Sequence, residues 1–211
     1  MLRSRLYLTD GRGNFQAAPS AWLAEKRWST GAVAAEDFDN DGDVDLFVGS
    51  RSIPGEYPLA PEHRLLRNDG GRFVDVLDEV APDAAEAGMI TAAVWSDVTG
   101  DGKKDLLAAT DWGPIRCYEN RNGRLVERTQ LAGLAEYSGW WCSLAAADLD
   151  GDGDNDLVAG NFGLNTKYKA SPDNPVVVYY GDCGDGKRHL LEASYEDDVL
   201  FPKRGRRCSS R

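Results

Sequence analysis

Short apolar runs alternate with turns along most of the chain, and three pairs of these runs enclose similar acidic stretches. Small and apolar residues lead into each stretch, namely GAVAAE from Gly31, ITAAVWS from Ile90 and CSLAAA from Cys142. An apolar tripeptide follows each one, starting at Leu46, Leu106 and Leu157. Apolar runs of this length, bounded by turns, are typical of strands buried on both faces. The pattern therefore predicts a strand, an acidic loop and a second strand, repeated three times.

A second repeated element lies out of phase with the first. It reads LYLTDGRGNF from Leu6, LLRNDGGRF from Leu65 and CYENRNGRL from Cys117. Each copy places a turn rich in Asn, Asp and Gly between apolar residues, which is typical of a β-hairpin. Two inner strands and a hairpin make four antiparallel strands in about 50 residues, the size of one propeller blade. The sequence predicts an all-β fold, a partial β-propeller of about three to four four-stranded antiparallel blades.

The phase of the repeats predicts how the chain is divided. We expect residues 1–211 to form one propeller fragment that begins with the outer hairpin of a preceding blade and contains two complete blades. The expected segments are that hairpin at 1–30, a blade at 31–77, a connector with at most a turn or two of helix at 78–89, a blade at 90–129, and a third blade with a degenerate fourth unit and a basic tail at 130–211.

The segment VVVYYGDCGDGKRHLLEA from Val176 has two interpretations. It is either the outer hairpin of the third unit, with GDCGDGK as its turn, or a fourth strand–loop–strand unit whose acidic loop has decayed. The second interpretation is slightly favoured. The preceding stretch NFGLNTKYKASPDNP is expected to be a loop.

The net charge of −11 is concentrated in the three acidic stretches. DFDNDGDVD (Asp37–Asp45) and DLDGDGDND (Asp148–Asp156) carry five aspartates each, and DVTGDGKKD (Asp97–Asp105) carries three aspartates and two lysines. The stretches therefore account for the whole net charge, and the rest of the chain is neutral as a group. Charge of one sign at a regular spacing predicts a bound cation at each place, whereas a generally acidic surface would spread it.

The order of residues in these stretches favours calcium. Asp at positions 1, 3, 5 and 9 suits a short loop that surrounds a hard cation with oxygens, and Gly at position 6 permits the sharp turn that brings these oxygens together. Position 7 offers its backbone carbonyl, so the identity of its side chain is free. An EF-hand needs Glu at position 12 and a helix on each side, but position 12 is Val48, Ala108 or Ala159 and the flanks are strand-like. Magnesium keeps more water ligands, and zinc prefers His and Cys, so both fit less well.

The nonapeptide D-x-D-x-D-G-x-x-D between strands, repeated at this interval, resembles the FG-GAP and VCBS repeats of integrin-α-like β-propellers. The hairpins, GNFGLNTKYKASPDNP from Gly160 and RGRRCSS from Arg204 are similar to the cartilage-acidic-protein-like subgroup, which carries a C-terminal ASPIC/UnbV domain. The resemblance implies calcium in the blade loops and an extracellular, periplasmic or cell-surface location. Because such propellers close with seven blades, it also implies that the chain is part of a longer protein. The resemblance implies a further D-x-D-G-x-G loop around Asp182, but GDCGDGK is about one residue short and His189 stands where the last Asp belongs, so no tight metal site is expected there.

The resemblance also implies a set of metal ligands, position by position. These are Asp37, Asp39, Asp41, Asp45 and the carbonyl of Asp43 in the first loop; Asp97, Thr99, Asp101, Asp105 and the carbonyl of Lys103 in the second; and Asp148, Asp150, Asp152, Asp156 and the carbonyl of Asp154 in the third. We expect Ca²⁺ in the first and third loops. The second loop is expected to bind more weakly, because Thr99 replaces an aspartate and Lys103 and Lys104 reduce its negative charge.

Signs of catalysis are scarce, and we expect no enzyme. The only histidines are His63 and His189, and no G-x-S-x-G, H-E-x-x-H or phosphate-binding glycine motif is present. His63 is expected to cap the start of a strand. The predicted function is a calcium-stapled scaffold for protein interaction or adhesion. The alternative is a lectin-like or polysaccharide-lyase-type propeller, in which aromatic residues stack on sugars. The candidate residues are Trp112, expected in a turn after the inner strands of the second unit, and Tyr137, Trp140 and Trp141, expected just before the first inner strand of the third unit. Packing between blades is the favoured role for these residues.

The expected partner is an unidentified protein or a glycan. Nucleic acid is not expected, because no basic face is evident outside a short C-terminal cluster, PKRGRRCSSR. No apolar run approaches the roughly 20 residues that span a bilayer, and the first 15 residues lack the apolar core of a signal peptide. Four cysteines allow three disulfide pairings, and free thiols are an equally good interpretation; they are Cys117, Cys142, Cys183 and Cys208.

Overall fold

A computed structural model describes residues 5–18, 29–163, 166, 168–182, 184 and 186–203. The chain forms two compact units, Met1–Asn161 and Phe162–Arg211. In the described residues, fifteen β-strands contrast with two short helical segments. The prediction of an all-β fold is therefore confirmed. No helix in the described ranges has both the length and the apolar character needed to cross a membrane.

The first blade is a four-stranded antiparallel meander. Its strands are β3 (Thr30–Glu36), β4 (Asp45–Ser50), β5 (Arg64–Asn68) and β6 (Phe73–Asp75), and they pair in chain order. The first acidic loop connects β3 to β4, and the pairing of Glu36 with Asp45 closes it. The preceding strands β1 (Tyr7–Thr9) and β2 (Phe15–Ala17) form a separate hairpin, as their turn chemistry predicts.

A short helical connector follows the first blade. It consists of α1 (Leu77–Val80) and a 3₁₀ helix (Pro82–Glu86). Leu77, Ala81 and Ala84 are buried there in the main hydrophobic core. The turn or two of helix predicted for this segment is confirmed, and its apolar residues anchor the connector to the core.

The second blade repeats the four-stranded arrangement with β7 (Met89–Ser96), β8 (Asp105–Gly113), β9 (Arg116–Asn120) and β10 (Leu125–Glu127). The next strand, β11 (Gly139–Ala147), first pairs with the end of β8, where Trp140 lies opposite Asp111. It then pairs with β12 (Asp156–Asn161) across the third acidic loop.

This pairing corrects two positions expected from the sequence. Trp112 lies inside β8, whereas a turn was expected, and Trp140 and Trp141 lie inside β11, whereas they were expected to precede the strand. The strands are longer than the apolar runs because Gly113 pairs with Gly139, so that backbone hydrogen bonding continues beyond the last small apolar residue.

The hydrophobic core joins the first two blades. It contains Phe47 and Leu65 from the first blade and Leu106 and Tyr118 from the second, all fully buried. As predicted for strands covered on both faces, β4 and β8 are buried along most of their length. β12 differs, because Val158 is 51 % exposed. It is the last strand in the pairing order of its sheet.

The second unit contains a three-stranded antiparallel sheet of β13 (Val177–Asp182), β14 (Arg188–Glu196) and β15 (Val199–Pro202). At the end of β13, Asp182 Oδ1 accepts the N–H groups of Gly184 at 2.7 Å and Gly186 at 3.1 Å. The offsets of two and four residues match those at Asp10 in the β1–β2 turn. The described residues of this turn therefore share the hydrogen-bond pattern of the β1–β2 turn.

Candidate metal centres in the acidic loops

The three acidic loops share one backbone scaffold, built on the aspartate at position 1. Each of these carboxylates accepts two backbone N–H groups, one from position 4 or 5 and one from the glycine at position 6. In the first loop Asp37 accepts from Asp41 at 3.1 Å and Gly42 at 3.0 Å. Asp97 and Asp148 make the corresponding bonds in the second and third loops, at 2.7 to 3.1 Å.

The glycine at position 6 is required by the backbone. Its φ is +96° at Gly42, +84° at Gly102 and +99° at Gly153, in the left-handed region that disfavours residues with a Cβ. This turn folds the loop back so that its first and last aspartates approach one another. Glycine at this position therefore has the structural role that the sequence predicted.

The aspartate at position 9 closes each loop. Its Oδ2 accepts the N–H of position 2, which is Phe38 for Asp45 at 3.1 Å, Val98 for Asp105 at 3.0 Å and Leu149 for Asp156 at 3.0 Å. The same bond thus occurs in all three loops. The surroundings differ, because Asp45 and Asp105 are fully buried whereas Asp156 is exposed.

Burial changes the acidity of the first loop. Desolvation raises the pKa of the Asp45 carboxyl to about 6, although two backbone N–H groups favour its charged form. Desolvation and the neighbouring charge of Asp41 also raise the pKa of Asp39. Both carboxylates lie where a nearby positive charge would favour ionisation.

Three carboxylates converge in the first loop and three in the third. Oxygens of Asp37, Asp39 and Asp45 lie within 4.8 Å of one another, and those of Asp148, Asp150 and Asp156 do the same. These are positions 1, 3 and 9 in both loops. The donor set consists of hard oxygens, which suits Ca²⁺ and offers nothing to a metal that prefers nitrogen or sulfur.

The structure does not bring position 5 into these clusters. Asp41 and Asp152 accept the N–H of position 7 at 2.8 and 2.9 Å. Position 7 also differs between the loops, because the Asp43 carboxylate accepts the N–H of Gly70 at 2.8 Å and ties the first loop to the outer hairpin. The side chain at position 7 is therefore used in the first loop, whereas the sequence left its identity free.

The second loop has a different charge arrangement. Thr99 donates its hydroxyl to Asp105 at 3.3 Å, and the Lys103 ammonium contacts Asp101 at 2.7 Å. That contact lowers the pKa of the Asp101 carboxyl. Within the described ranges only the first and third loops form a three-carboxylate cluster. The second loop neutralises part of its own charge with a lysine.

The sequence of these loops and hairpins matches a known repeat. A sequence model of the FG-GAP-like repeat matches residues 3–48 and 97–159, a little over half of the chain, and the matched residues include all three acidic loops. The chain belongs to the FG-GAP-like repeat family. No curated protein matches the chain. FG-GAP-like repeats build β-propeller-like modules, and the two complete four-stranded blades agree with the predicted partial propeller.

Two asparagines support the FG-GAP-like loops, and sequence reasoning missed them. Asn68 and Asn120 end the third strands of their blades, and their backbone N–H groups donate to Asp45 Oδ1 and Asp105 Oδ1, each at 2.8 Å. Their side-chain amides donate to the carbonyls of position 8, Val44 and Lys104, each at 3.1 Å. The sequence did contain a signal for them, because aligning LLRNDGGRF with CYENRNGRL shows an Asn at the same position in both.

The aromatic residues considered for sugar stacking lie at the junction of β8 and β11. The rings of Trp112 and Trp140 stack with their centroids 5.2 Å apart, and the Trp112 indole donates to the Tyr57 hydroxyl. The Trp141 indole donates to the carbonyl of Gly113 at 3.1 Å. Tyr137 is 64 % exposed. The three tryptophans therefore contribute to holding the strands of this FG-GAP-like module together.

The remaining candidate groups are His63 and the cysteines. His63 is fully buried just before β5, and its Nδ1 accepts the N–H of Ser50 at 3.1 Å, which agrees with its expected place at a strand start. Burial lowers its pKa to about 4. Cys117 is a buried free thiol and Cys142 an exposed one. Cys183, Cys208 and the tail from Arg204 lie outside the described residues.

Proposed function

We propose that the chain is a calcium-binding FG-GAP-like β-propeller module, which acts outside the cytosol as a non-catalytic scaffold for protein interaction or adhesion. The observation that carries the proposal is the convergence of positions 1, 3 and 9 to within 4.8 Å in two separate loops. Backbone N–H groups already hold these carboxylates in place, so that an incoming cation meets an arranged set of oxygens.

The charge balance of the first loop supports a cation. Like charges at this separation repel, and a buried carboxylate such as Asp45 is unfavourable without a counter-charge. In the described part of the chain, no lysine or arginine forms an ion pair with Asp37, Asp39 or Asp45. The charge of Arg67 offsets the raised pKa of Asp39 only in part, and a divalent cation would supply further positive charge.

Calcium is the proposed ion, with the first and third loops as the stronger sites and the second as a weaker one. Its role would be structural. Extracellular calcium modules bind with Kd of about 10⁻⁴–10⁻³ M, so millimolar calcium contributes about 0.4–1.4 kcal/mol per site. This contribution is a sizeable part of a total stability of about 5–15 kcal/mol, and it would stabilise the connection between two inner strands.

A second candidate function is carbohydrate binding, either lectin-like or of the polysaccharide-lyase type. It is favoured by one observation, the φ of +64° at Trp112, since a bulky side chain in the left-handed region is strained and such strain concentrates at binding sites. A glycan array with calcium present tests it. Retention of no glycan would remove this candidate and leave the scaffold function.

Calcium titration calorimetry on the full chain, after removal of divalent ions with EDTA, tests the main proposal. We expect two stronger sites and a weaker third. Asp37→Asn and Asp148→Asn should each remove one strong site. The exposed Asp83, which lies outside the loops, provides the matched control, because Asp83→Asn should remove none. A chain that releases no heat with calcium and does not enhance Tb³⁺ luminescence would contradict the proposal.

A further inference from the structure

Asn120 connects the second blade to the acidic loop of the first. It ends β9 and is 1 % exposed. Its Nδ2 donates to the carbonyl of Phe38 at 2.7 Å and to that of Lys104 at 3.1 Å. Its Oδ1 accepts the N–H of Gly123 at 2.8 Å. The amide thus uses both of its donor hydrogens and its acceptor, and one of those bonds crosses to the neighbouring blade.

Phe38 connects Asn120 to a predicted ligand, Asp45. It occupies position 2 of the first loop, and its N–H donates to Asp45 Oδ2 at 3.1 Å. Its ring stacks on Trp95 of the second blade, with centroids 6.2 Å apart and an interplanar angle of 13°. The second blade therefore contacts Phe38 at two points, the Phe38 carbonyl and the Phe38 ring. Phe38 in turn positions the buried carboxylate of Asp45.

The turn between β9 and β10 also touches the loop directly. A Cβ added to Gly123 would lie 3.2 Å from the Cβ of Asp39, the position-3 aspartate. That distance is tighter than ordinary van der Waals contact, so the glycine allows the turn to approach the loop closely. The second blade thus contacts the first loop at position 2 and at position 3.

The other two loops lack this support in the described residues. Position 2 is Val98 in the second loop, 36 % exposed, and Leu149 in the third, 62 % exposed, compared with 1 % for Phe38. Asn68, the counterpart of Asn120, donates its amide to Val44 within its own blade. Both asparagines thus make a side-chain bond within their own blade, and Asn120 makes a further bond to Phe38 of the neighbouring blade.

We infer that the calcium site of the first loop is a two-blade site: its ligands lie on the first blade, and Asn120 and Gly123 of the second blade position them. The inference rests on the proposed calcium binding. Because coupling is reciprocal, calcium in this loop also strengthens the junction between the two blades. Asn120 is a positioning residue, and its removal weakens calcium binding without removing a ligand.

The test isolates the first loop in the full chain. A background of Asp97→Asn with Asp148→Asn leaves the first loop as the functional site, and the Ca²⁺ Kd is measured by calorimetry with and without Asn120→Ala. Loss of one buried hydrogen bond predicts an increase in Kd of about three- to tenfold. The same Asn120→Ala change in a background of Asp37→Asn with Asp97→Asn leaves only the third loop, whose Kd should change less than about twofold.

A second variant guards against misfolding. Gly123→Asn keeps a residue type that tolerates the φ of +83° but introduces a Cβ against Asp39, so it should also raise the Kd of the first loop. Gly133→Asn is the matched control, since Gly133 has a φ of +73° with open space around it. If Asn120→Ala also abolishes binding in the third loop, the chain is misfolded. The comparison of Gly123→Asn with Gly133→Asn then tests the two-blade site.

The outcomes separate the two proposals. If the parent background binds no Ca²⁺, the first loop is not a calcium site and the proposed function fails there. If it binds Ca²⁺ but neither Asn120→Ala nor Gly123→Asn raises the Kd by more than about twofold, the two-blade site is overturned. If Asn120→Ala keeps the chain folded but raises the Kd of the first and third loops equally, the two-blade site is also overturned, because the effect would then be global.

Discussion

The carboxylate of Asp45 accepts the backbone N–H of Asn68 at 2.8 Å, which ties the end of the first acidic loop to the end of the third strand in the same blade. Asp105 and Asn120 repeat the bond at the same length in the second blade. The acidic loop and the outer hairpin of each complete blade are thus one hydrogen-bonded structure. An ion that holds the loop would also hold the hairpin, which connects the proposed metal site to the stability of the blade.

Calcium should raise the melting temperature of the chain. Each strong site is expected to add about 0.4–1.4 kcal/mol at millimolar calcium, which corresponds to about 1–5 °C per site for a chain of this size. Thermal unfolding followed by circular dichroism, in calcium and in EDTA, measures the difference. Asp37→Asn and Asp148→Asn should each reduce it and Asp83→Asn should not. Identical melting curves in calcium and EDTA would reject the structural role.

Calcium binding to the first loop should weaken in mild acid. The pKa of Asp45 is raised to about 6 in the folded chain without metal, and only the ionised carboxylate is a good ligand. At pH 5 about one tenth of this group is ionised, so the Kd of the first loop should be about tenfold higher than at pH 7.5. Calorimetry in the Asp97→Asn, Asp148→Asn background measures it. An unchanged Kd would contradict the role of Asp45 as a ligand with a raised pKa.

His63 should make the fold less stable in acid. Burial lowers its folded pKa to about 4 from the model-compound value of 6.5, so the unfolded chain binds the proton first as pH falls. Stability from neutral His63 is therefore present above about pH 6.5 and is lost towards pH 4, by about 3 kcal/mol at most. His63→Asn removes the titrating group.

Urea unfolding in EDTA at pH 7 and pH 4.5 tests this prediction. EDTA keeps calcium from contributing, and Asn retains an acceptor for the Ser50 N–H. The wild-type chain should exceed the variant in unfolding free energy by more at pH 7 than at pH 4.5. The titration of Asp45 is common to both proteins and cancels in the comparison. A difference that does not change with pH would show that His63 does not cause the acid sensitivity.

Phe38 should matter far more to stability than its counterpart in the third loop. Phe38→Ala removes a ring that is 1 % exposed and stacked on Trp95, so a loss of about 3–5 kcal/mol is expected. Leu149→Ala alters the same loop position, where the side chain is 62 % exposed, and should change stability by less than about 0.5 kcal/mol. Urea unfolding in EDTA gives both values. Similar losses for the two variants would contradict the packing described for Phe38.

Several features of the structure follow from local sequence alone. Strand and turn positions depend on short-range apolar runs and on Gly, Asn and Asp in turns, so the two complete blades and the hairpins could be predicted. The same is true of the loop scaffold, because Gly42 and Asp37 act through neighbours only a few residues away. Spacing within nine residues was enough to predict which aspartates share a loop.

Contacts between distant segments required the tertiary structure. Asp45 and Asp156 occupy the same position in nearly the same nonapeptide, yet one is fully buried and the other exposed. Burial depends on what packs around the loop, and for the first loop that includes Asn120, 82 residues away from Phe38. The sequence by itself determined the repeat, the strands and the set of acidic positions. Only the tertiary structure decided which of those carboxylates are desolvated and which are positioned by a neighbouring blade. Desolvation and long-range hydrogen bonds arise from packing between segments that are far apart in the chain.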